Sequence, residues 1–436
     1  MAPELSTTRG TLHLGDDGVI ALRRADGAPA VAGDGVGADL VRLALSGSPA
    51  GLPASFRGEE RALGVDMTNW SVVVDGRWIV KVPLVWGGSE RSVRQLGRLA
   101  AAGSALSPRL VGRVPWAVPG RGEVSAALVT ELLADAADGW TWAVDDVLHF
   151  LRADAGGPAG ASGSPDAERP ADAGTRPEWP AVLGRMTAEL HRCLASGAEA
   201  DRPAGDEVAD GSASTGPGLR ERIGRQIDAA LAAVDGEVRA RFVARLPRLR
   251  AIVAAAPDRA GGAVFPIHGD LHVGQFLRSS DADGRVRYAV VDFDGDPQHP
   301  ELPGEGTEMV DVPAVDVAHL LVSVDLVGSV VQKRLGRRDA RVLAWAEDAR
   351  AQLLAAYRAE AARPGPDGRT PAAPLLDEKA LHALEVEQFA RELTYAHRYL
   401  PRWEYAPDGA LAARYAPDDH AEPEEKEWTP PASETT

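Results

Sequence analysis

The hydrophobic pattern of the chain is mostly extended in its first third and mostly helical afterwards, and this division limits the folds that the sequence can adopt. Residues 11–30 and 70–86 each read as a β-hairpin, with turns at Asp17-Gly18 and Asp75-Gly76. From about residue 180 apolar residues recur at helical spacing, except in one strand-like stretch at 265–297. We therefore predict an α+β protein with a β-rich lobe, a mostly helical lobe and a site between them.

Composition and charge exclude several classes of protein. The hydrophobic share of 44% and the charged share of 25% are typical of a globular protein. No apolar run approaches the length of a spanning helix, and the N-terminus lacks a basic start followed by an apolar stretch, so we expect a cytoplasmic protein without a membrane partner. The net charge of -17 argues against a nucleic-acid partner. Cys193 is the only cysteine, which excludes an internal disulfide. The oligomeric state cannot be predicted from these features.

One stretch, FPIHGDLHVGQFL, places several polar residues in an apolar setting. Asp270 is followed five residues later by Gln275, and Asp292 and Asp294 come after the strand-like YAVV. Carboxylate and amide oxygens are the ligands that Mg²⁺ prefers. The alternative interpretation is a set of polar residues that cap loops.

Phosphoryl transfer to an alcohol needs a metal site of this kind and two further parts. A carboxylate must orient the hydroxyl, and a lysine on a strand of the other lobe must bind the nucleotide phosphates. Lys81 is one of only four lysines and lies on the outgoing strand of the second hairpin. A surface lysine whose stem packs on apolar neighbours is the alternative.

These segments together resemble a known family. HGDLHVGQ followed by VVDFDGDP resembles the H-G-D-L-H-x-G-Q and D-F-(E/D)-G-(E/D)-P patterns of the aminoglycoside phosphotransferase-like kinases, and most closely the maltokinase and bacterial glucosamine kinase branch. ADGWTWA at 137–143, LGRMTAELH at 183–191 and DVAHLLVSVD at 316–325 extend the resemblance. An E-x-x-Y-x-x-R-x-x-P-x-W pattern begins at Glu392. The resemblance covers about residues 68–406.

The resemblance implies a two-lobed protein-kinase-like fold. A cap subdomain would occupy residues 1–55, a β-rich small lobe 56–133, a helical large lobe 134–420 and a disordered tail 421–436. The Gly-, Ala- and Pro-rich stretches at 152–180 and 200–218 are predicted to be flexible.

The resemblance also implies roles for individual residues, with ATP as co-substrate and Mg²⁺ as cofactor. Asp270 would be the catalytic base, and His268 would brace its loop. Gln275 and Asp292 would bind the metal, with Asp294 assisting. The nucleotide would meet Lys81 and a hinge at Leu128 to Leu133, so the predicted nucleotide-binding residues are Lys81, Glu131 and Leu133.

Two parts of the family pattern are missing or displaced. No G-x-G-x-x-G covers the phosphates, so residues 68–71 are expected to do so. Glu90, the only acid in the helix after Lys81, is the candidate for the glutamate that pairs with the lysine. Asp316 and Asp325 are open between bracing the catalytic loop, capping a helix and binding substrate. His272 and Cys193 are interpreted as structural.

The helix predicted at 381–400 carries the candidates for acceptor binding. Glu385, Gln388, Glu392, Tyr395 and Tyr399 fall on one face, and Trp403 and Glu404 follow. A solvated helix face is the alternative. Rings and carboxylates together suit a sugar, and carboxylates suit an ammonium group. The predicted substrate-binding residues are Asp270, Gln388, Glu392, Tyr395, Trp403 and Glu404.

The resemblance and this acidic face favour an ATP-dependent kinase acting on a small sugar or amino sugar. Glucosamine, converted to glucosamine 6-phosphate, is the first candidate acceptor. Maltose phosphorylated at its anomeric hydroxyl is the second, and an aminoglycoside is the third. A non-catalytic scaffold of the same fold is the alternative from another class.

Overall fold

A computed structural model describes residues 3–46, 51–63, 69–154, 176–200, 218–281, 283–295, 308–364, 368 and 373–416. The predicted tail, Thr68 and most of the two low-complexity stretches lie outside the described residues.

The N-terminal part of the described chain contains two antiparallel sheets and two helices. The first sheet has three strands, β1 (Glu4–Ser6), β2 (Gly10–Leu14) and β3 (Ile20–Arg24), and helix α1 (Val36–Leu45) follows it. The second sheet has the order β4-β5-β6-β8-β7. Its elements, with the helix between them, are β4 (Glu60–Ala62), β5 (Asn69–Val74), β6 (Trp78–Pro83), α2 (Glu90–Ala101), β7 (Leu110–Val118) and β8 (Gly122–Glu131).

Both predicted hairpins are confirmed. In the second, Asn69 lies opposite Pro83 and Val74 lies opposite Trp78. The turn residues Asp75 and Gly76 have φ of 52° and 60°, the left-handed values that a type I′ turn requires. This turn sets the register of β6 and therefore decides which way Lys81 points.

The cap and the small-lobe sheet share one hydrophobic core. Alternate residues of β5 and β6, among them Val72 and Val80, are buried against Val36 and Leu40 of α1, and Leu12 of the first sheet joins the same cluster. Because α1 packs on β5, β7 and β8, the N-terminal segment is anchored to the strands that carry the site.

The C-terminal part is mostly helical, with a small β island. The helices are α3 (Gly139–Asp154), α4 (Trp179–Ala200), α5 (Leu219–Ala233), α6 (Gly236–Ala255), α7 (Ala314–Leu335), α8 (Ala340–Ala361), α9 (Glu378–Tyr399) and α10 (Tyr405–Arg414). The strands form two antiparallel pairs, β9 (Phe265–Pro266) with β12 (Val310–Asp311) and β10 (Phe276–Ser280) with β11 (Val286–Val290). This is the predicted two-lobed α+β architecture.

Helix α7 is the central helix of the large lobe. It is the one helix in the described part of the chain whose length and composition would suit a membrane span, but 89% of its apolar window is buried inside the fold. Near its middle, Asp325 forms a buried ion pair with Arg350 of α8 (3.0 Å), and Arg350 also pairs with Glu385 of α9 (2.6 Å). Asp325 and Glu385 therefore join helices to one another, since their carboxylates already have buried cationic partners.

Helix α2 belongs to both lobes. It follows the small-lobe hairpin in the chain, yet Leu96 and Leu99 are buried in the core of the helical lobe, where α2 packs on α4. Strand β8 ends at Glu131, and the chain then continues to α3 of the helical lobe.

Candidate active site

The HGD segment forms a tight loop between β9 and a 3₁₀ turn at Val273–Gln275. Asp316 of α7 holds this loop because its carboxylate accepts hydrogen bonds from the backbone N–H groups of His268 (2.8 Å) and Gly269 (2.7 Å). Asp316 also faces His191 of α4 at 3.1 Å. His268 is buried and its Nε2 lies 3.0 Å from the carbonyl oxygen of Val291. Both His268 and Asp316 therefore brace the loop, as predicted for His268.

Asp270, the predicted catalytic base, is partly buried and its carboxylate faces His319 of α7. Removal from bulk water raises the pKa of its carboxyl group to about 7. His319 opposes this rise, whereas the carboxylates of Asp292 and Glu392 add to it. A carboxyl group with a pKa near neutrality is suited to accept a proton from a hydroxyl.

His319 of α7 links Asp270 to α9. Its Nδ1 lies 3.7 Å from Asp270 Oδ1, and its Nε2 lies 3.2 Å from Glu392 Oε1. Burial lowers the pKa of His319, but the hydrogen bond to Glu392 and the charge of Asp270 raise it above its usual value. By contrast, burial beside His319 lowers the pKa of His272 to about 3, so His272 is neutral. Of these two histidines, His319 therefore holds a proton more readily than His272.

The predicted nucleotide-binding lysine meets the predicted metal ligands. Lys81 Nζ lies 2.7 Å from Asp292 Oδ1 and 3.8 Å from Asp294 Oδ2. Burial opposes ionisation of Asp292, but Lys81 lowers the pKa of this carboxyl group below its usual value. Asp292 is also one of three non-glycine residues in the described chain with positive φ (66°). Such a backbone conformation is costly, and here it turns the carboxylate of Asp292 toward Lys81.

Asp294 is held by two residues of the small lobe. Ser92 Oγ of α2 donates to Asp294 Oδ1 (2.5 Å), and Asn69 Nδ2 of β5 donates to Asp294 Oδ2 (3.2 Å). Burial raises the pKa of Asp294, while Lys81 and these two donors oppose the rise. The DFDGD segment of the large lobe is thus fastened to the small lobe at this carboxylate.

The residues present fit a magnesium ion bound together with nucleotide phosphates. Gln275 Nε2 lies 3.4 Å from Asp270 Oδ2 and 3.5 Å from Asp292 Oδ2, so the amide group stands between two carboxylates. No group of three or more His, Cys, Asp or Glu side chains within the described ranges has a metal-binding arrangement. A set of two carboxylates and one amide suits Mg²⁺, which keeps several waters and binds the phosphates of its substrate.

The predicted hinge lies at the end of β8. Glu131 and Leu132 are still tied to neighbouring strands, because their N–H groups donate to the carbonyl oxygens of Arg109 (3.0 Å) and Arg77 (2.8 Å). The side chain of Glu131 pairs with Arg109. Leu133 lies beyond the last of these hydrogen bonds. Its backbone is therefore better placed than that of Glu131 to contact the adenine of a nucleotide.

Within the described ranges, Glu90 does not form the expected pair with Lys81. Its Oε1 accepts the backbone N–H of Ser125 in β8, and Lys81 pairs with Asp292 and Asp294. The side chains of α2 that reach the two active-site loops are those of Arg91, Ser92 and Gln95.

On α9, three predicted substrate-binding residues converge on Asp270. Gln388 Nε2 donates to Glu392 Oε1 (3.1 Å), the same oxygen that His319 faces. The hydrogen bond and charge of His319 lower the pKa of Glu392 in spite of its burial. Burial raises the pKa of the Tyr395 phenol, and the negative charges of Asp270 and Glu392 raise it further. This arrangement does not fit the alternative of a solvated helix face.

The other two predicted acceptor residues lie farther along the chain and have other neighbours. Trp403 packs edge-on against Trp140 (5.4 Å between ring centroids), which in turn lies 5.5 Å from the ring of His272. Glu404 pairs with His397 at 2.8 Å. Trp403 is therefore connected to the catalytic loop through rings, whereas Glu404 contacts His397 at the end of α9.

Three residues of the site were missed by reasoning from the sequence: Arg91, Ser92 and His319. His319 could have been found, because it lies three residues after Asp316 and so faces the same side of α7. The other two act through contacts between lobes, for which a single sequence carries no signal.

Comparison with known proteins agrees with this geometry. No family model matches the chain. A glucosamine kinase of Streptacidiphilus jiangxiensis is 36% identical over 357 residues, which cover 81% of this chain and 72% of the relative. A glucosamine kinase of Mycolicibacterium smegmatis is 33% identical over 358 residues, which cover 81% of this chain and 79% of the relative.

Solved structures give the same result. A glucosamine kinase in complex with glucosamine, ADP and inorganic phosphate superimposes with a TM-score of 0.67 at 33% identity and covers 94% of both chains. A second crystal form of a glucosamine kinase has a TM-score of 0.67 at 30% identity, with 94% of this chain and 95% of that chain covered. The chain therefore belongs to the glucosamine kinase family.

Proposed function

We propose that this protein is an ATP-dependent kinase that phosphorylates glucosamine and releases glucosamine 6-phosphate and ADP. The observation that carries the choice of acceptor is the carboxylate of Glu392, held by His319 and Gln388 beside Asp270. A fixed, ionised carboxylate next to the predicted base suits an acceptor with an ammonium group, because charge-assisted hydrogen bonds are stronger than neutral ones. A cytoplasmic location, predicted from the sequence, is part of this proposal.

In the proposed reaction, Asp270 orients the primary hydroxyl of the sugar. The hydroxyl oxygen attacks the γ-phosphorus while the bond from that phosphorus to the β–γ bridging oxygen breaks, and the hydroxyl proton passes to Asp270. His319 stabilises the ionised form of Asp270 before transfer, because its charge lowers the pKa of that carboxyl group. The raised pKa of about 7 allows Asp270 to hold the proton afterwards.

At the other end of the site, Lys81 binds the phosphates of ATP. In the structure it neutralises Asp292 and Asp294, so its ammonium group must exchange a carboxylate for a phosphate when nucleotide binds. Gln275, Asp292 and Asp294 would hold Mg²⁺, with the amide oxygen of Gln275 as its donor atom. When bound, Mg²⁺ supplies positive charge that offsets the charge on the phosphates. The backbone at Leu133 contacts the adenine base of ATP.

A coupled assay of ADP release tests the acceptor. The full chain is supplied with ATP, Mg²⁺ and one of four acceptors, namely glucosamine, glucose, maltose or kanamycin. We expect kcat/KM for glucosamine to exceed that for each of the others by at least about tenfold, as one charge-assisted contact allows. A preference for maltose or kanamycin would overturn the proposal.

A further inference from the structure

Helix α2 meets both loops of the active site along one face. Arg91 Nη2 donates to the carbonyl oxygens of Ile267 (2.9 Å) and His268 (2.7 Å), immediately before Gly269 and Asp270. Gln95, one helical turn farther on, donates to the carbonyl oxygen of Ile267 as well (2.9 Å). These two side chains therefore hold the backbone from which Asp270 projects.

Between these two residues, Ser92 holds the other loop. Its hydroxyl donates to Asp294, one of the proposed metal ligands. Arg91, Ser92 and Gln95 are all buried. Three neighbouring side chains of one helix thus contact the catalytic loop and the metal-binding loop at the same time.

Glycines in both loops make room for the guanidinium group of Arg91. Gly269 has φ of 82°, and a Cβ built there would lie 2.7 Å from Arg91 Nη2. Gly295 has φ of 83°, and a Cβ built there would collide with Arg91 Nη1. The guanidinium group therefore lies between the HGD loop and the end of the DFDG loop, in van der Waals contact with both backbones.

The charge of Arg91 is costly to bury. Only 2% of the residue is exposed, and its Nε and Nη1 have no hydrogen-bond partner among the described residues. Burial lowers the pKa of Arg91, while the carboxylates of Asp316, Glu308, Asp294 and Asp270 oppose that shift. An apolar side chain could fill this position at little cost in stability, so the buried charge of Arg91, surrounded by these carboxylates, indicates a role in the site.

We propose that Arg91, Ser92 and Gln95 are positioning residues that set the separation between Asp270 and Asp294. In protein kinases the corresponding coupling between a small-lobe helix and the site is an ion pair between the strand lysine and a helix glutamate. Here α2 reaches the two loops directly, and Lys81 is linked to α2 through Asp294 and Ser92. This proposal rests on the proposed function insofar as it concerns phosphoryl transfer.

The test compares three variants of the full chain: Arg91→Lys, Ser92→Ala and the control Arg94→Lys. Arg94 is on the same helix, but its side chain is 42% exposed and lies 3.8 Å from Glu308. The readouts are kcat and KM for ATP, amide hydrogen exchange of residues 267–276, and Mn²⁺ affinity by electron paramagnetic resonance in the presence of ADP.

For Arg91→Lys we expect kcat to fall about 30-fold while KM for ATP changes less than about threefold, since misplacement of Asp270 affects transfer more than nucleotide binding. Amide exchange of residues 267–276 should become faster. For Ser92→Ala we expect the Mn²⁺ dissociation constant to rise about fivefold, because a residue that orients a metal ligand contributes at least this much to metal affinity. Arg94→Lys should stay within about twofold of the parent in every kinetic and binding readout.

The proposal is overturned if Arg91→Lys has parental kcat and parental amide exchange, or if Arg94→Lys shows the same losses. It is also overturned if only the melting temperature falls while the folded enzyme turns over normally. If Arg91→Lys does not fold, the Ser92→Ala variant provides the test. Parental Mn²⁺ affinity in Ser92→Ala would then overturn the proposal. Hydrogen exchange and Mn²⁺ binding do not depend on turnover. They therefore test the positioning role of α2 even if the parent does not phosphorylate glucosamine.

Discussion

The two ends of the site are built in different ways. At the phosphate end, Asp292 and Asp294 come from one short loop and meet Lys81 at the end of a hairpin. At the acceptor end, Asp270 meets residues from two separate helices, His319 of α7 and Glu392 of α9, which lie 73 positions apart in the chain. The first end depends on local loop geometry, and the second depends on how long helices pack.

The residues proposed to carry out the reaction and those proposed to select the acceptor therefore lie on different elements. In the proposed mechanism the loops that carry Asp270, Asp292 and Gln275 determine the reaction, and side chains of α2 and α7 hold these loops in place. We propose that the choice of acceptor lies on α9, where a change of one side chain would alter the pocket more than the phosphate end. Substitutions at the two ends should therefore give distinct kinetic signatures.

The largest effect is expected at Asp270, which receives the hydroxyl proton in the proposed reaction. Asp270→Asn preserves shape but cannot accept the hydroxyl proton, so kcat should fall by about 10³-fold. The affinity for ADP, measured by calorimetry, should stay within about threefold of the parent because nucleotide binding depends on the other end. Parental turnover in this variant would contradict the assignment of Asp270 as the base.

A substitution at the phosphate end should act on the nucleotide alone. Lys81→Met removes the ammonium group that faces Asp292 and Asp294, and kcat/KM for ATP should fall by about 10²-fold. The KM for glucosamine at saturating ATP should change little. A comparable rise in both KM values would mean that the two ends are not separable in the way described.

The pH dependence of kcat/KM tests the acceptor end. Asp270 must be ionised to act as a base, and its pKa is raised to about 7, so activity should increase with pH through this value. At pH 5.5 kcat/KM should be about 30-fold below its plateau. His319→Asn removes the charge that lowers this pKa, so the midpoint of the profile should move to higher pH. A midpoint near the usual range of aspartate would contradict the assignment.

Much of the phosphate end could be predicted from the sequence, because its parts lie in short segments with fixed spacing. The hairpin at Asp75-Gly76 placed Lys81 on a strand, and the DFDGDP segment placed Asp292 and Asp294 after another. Among the described residues Glu90 accepts a hydrogen bond from the backbone of Ser125 and does not pair with Lys81 as expected. The orientation of α2 depends on contacts with the large lobe that local sequence does not encode.

The acceptor end could be predicted only in part. Helical periodicity placed Gln388, Glu392 and Tyr395 on one face, and that face does meet Asp270. The sequence carried no indication that Glu392 would be held by His319, since the packing of α7 on α9 brings them together. Similarly, the helical periodicity did not indicate that Glu404 would pair with His397.

The central claim is that Glu392 selects an amino sugar, and the acceptor preference of Glu392→Gln tests it most directly. The substitution keeps the shape and the hydrogen bond from Gln388 but removes the negative charge. We expect kcat/KM for glucosamine to fall about tenfold and kcat/KM for glucose to change less than about twofold. The control is Glu378→Gln, on the exposed first turn of α9, where the carboxylate pairs with Arg358. A drop in the ratio of glucosamine to glucose kcat/KM in Glu392→Gln alone is the predicted result, and an unchanged ratio would contradict the account.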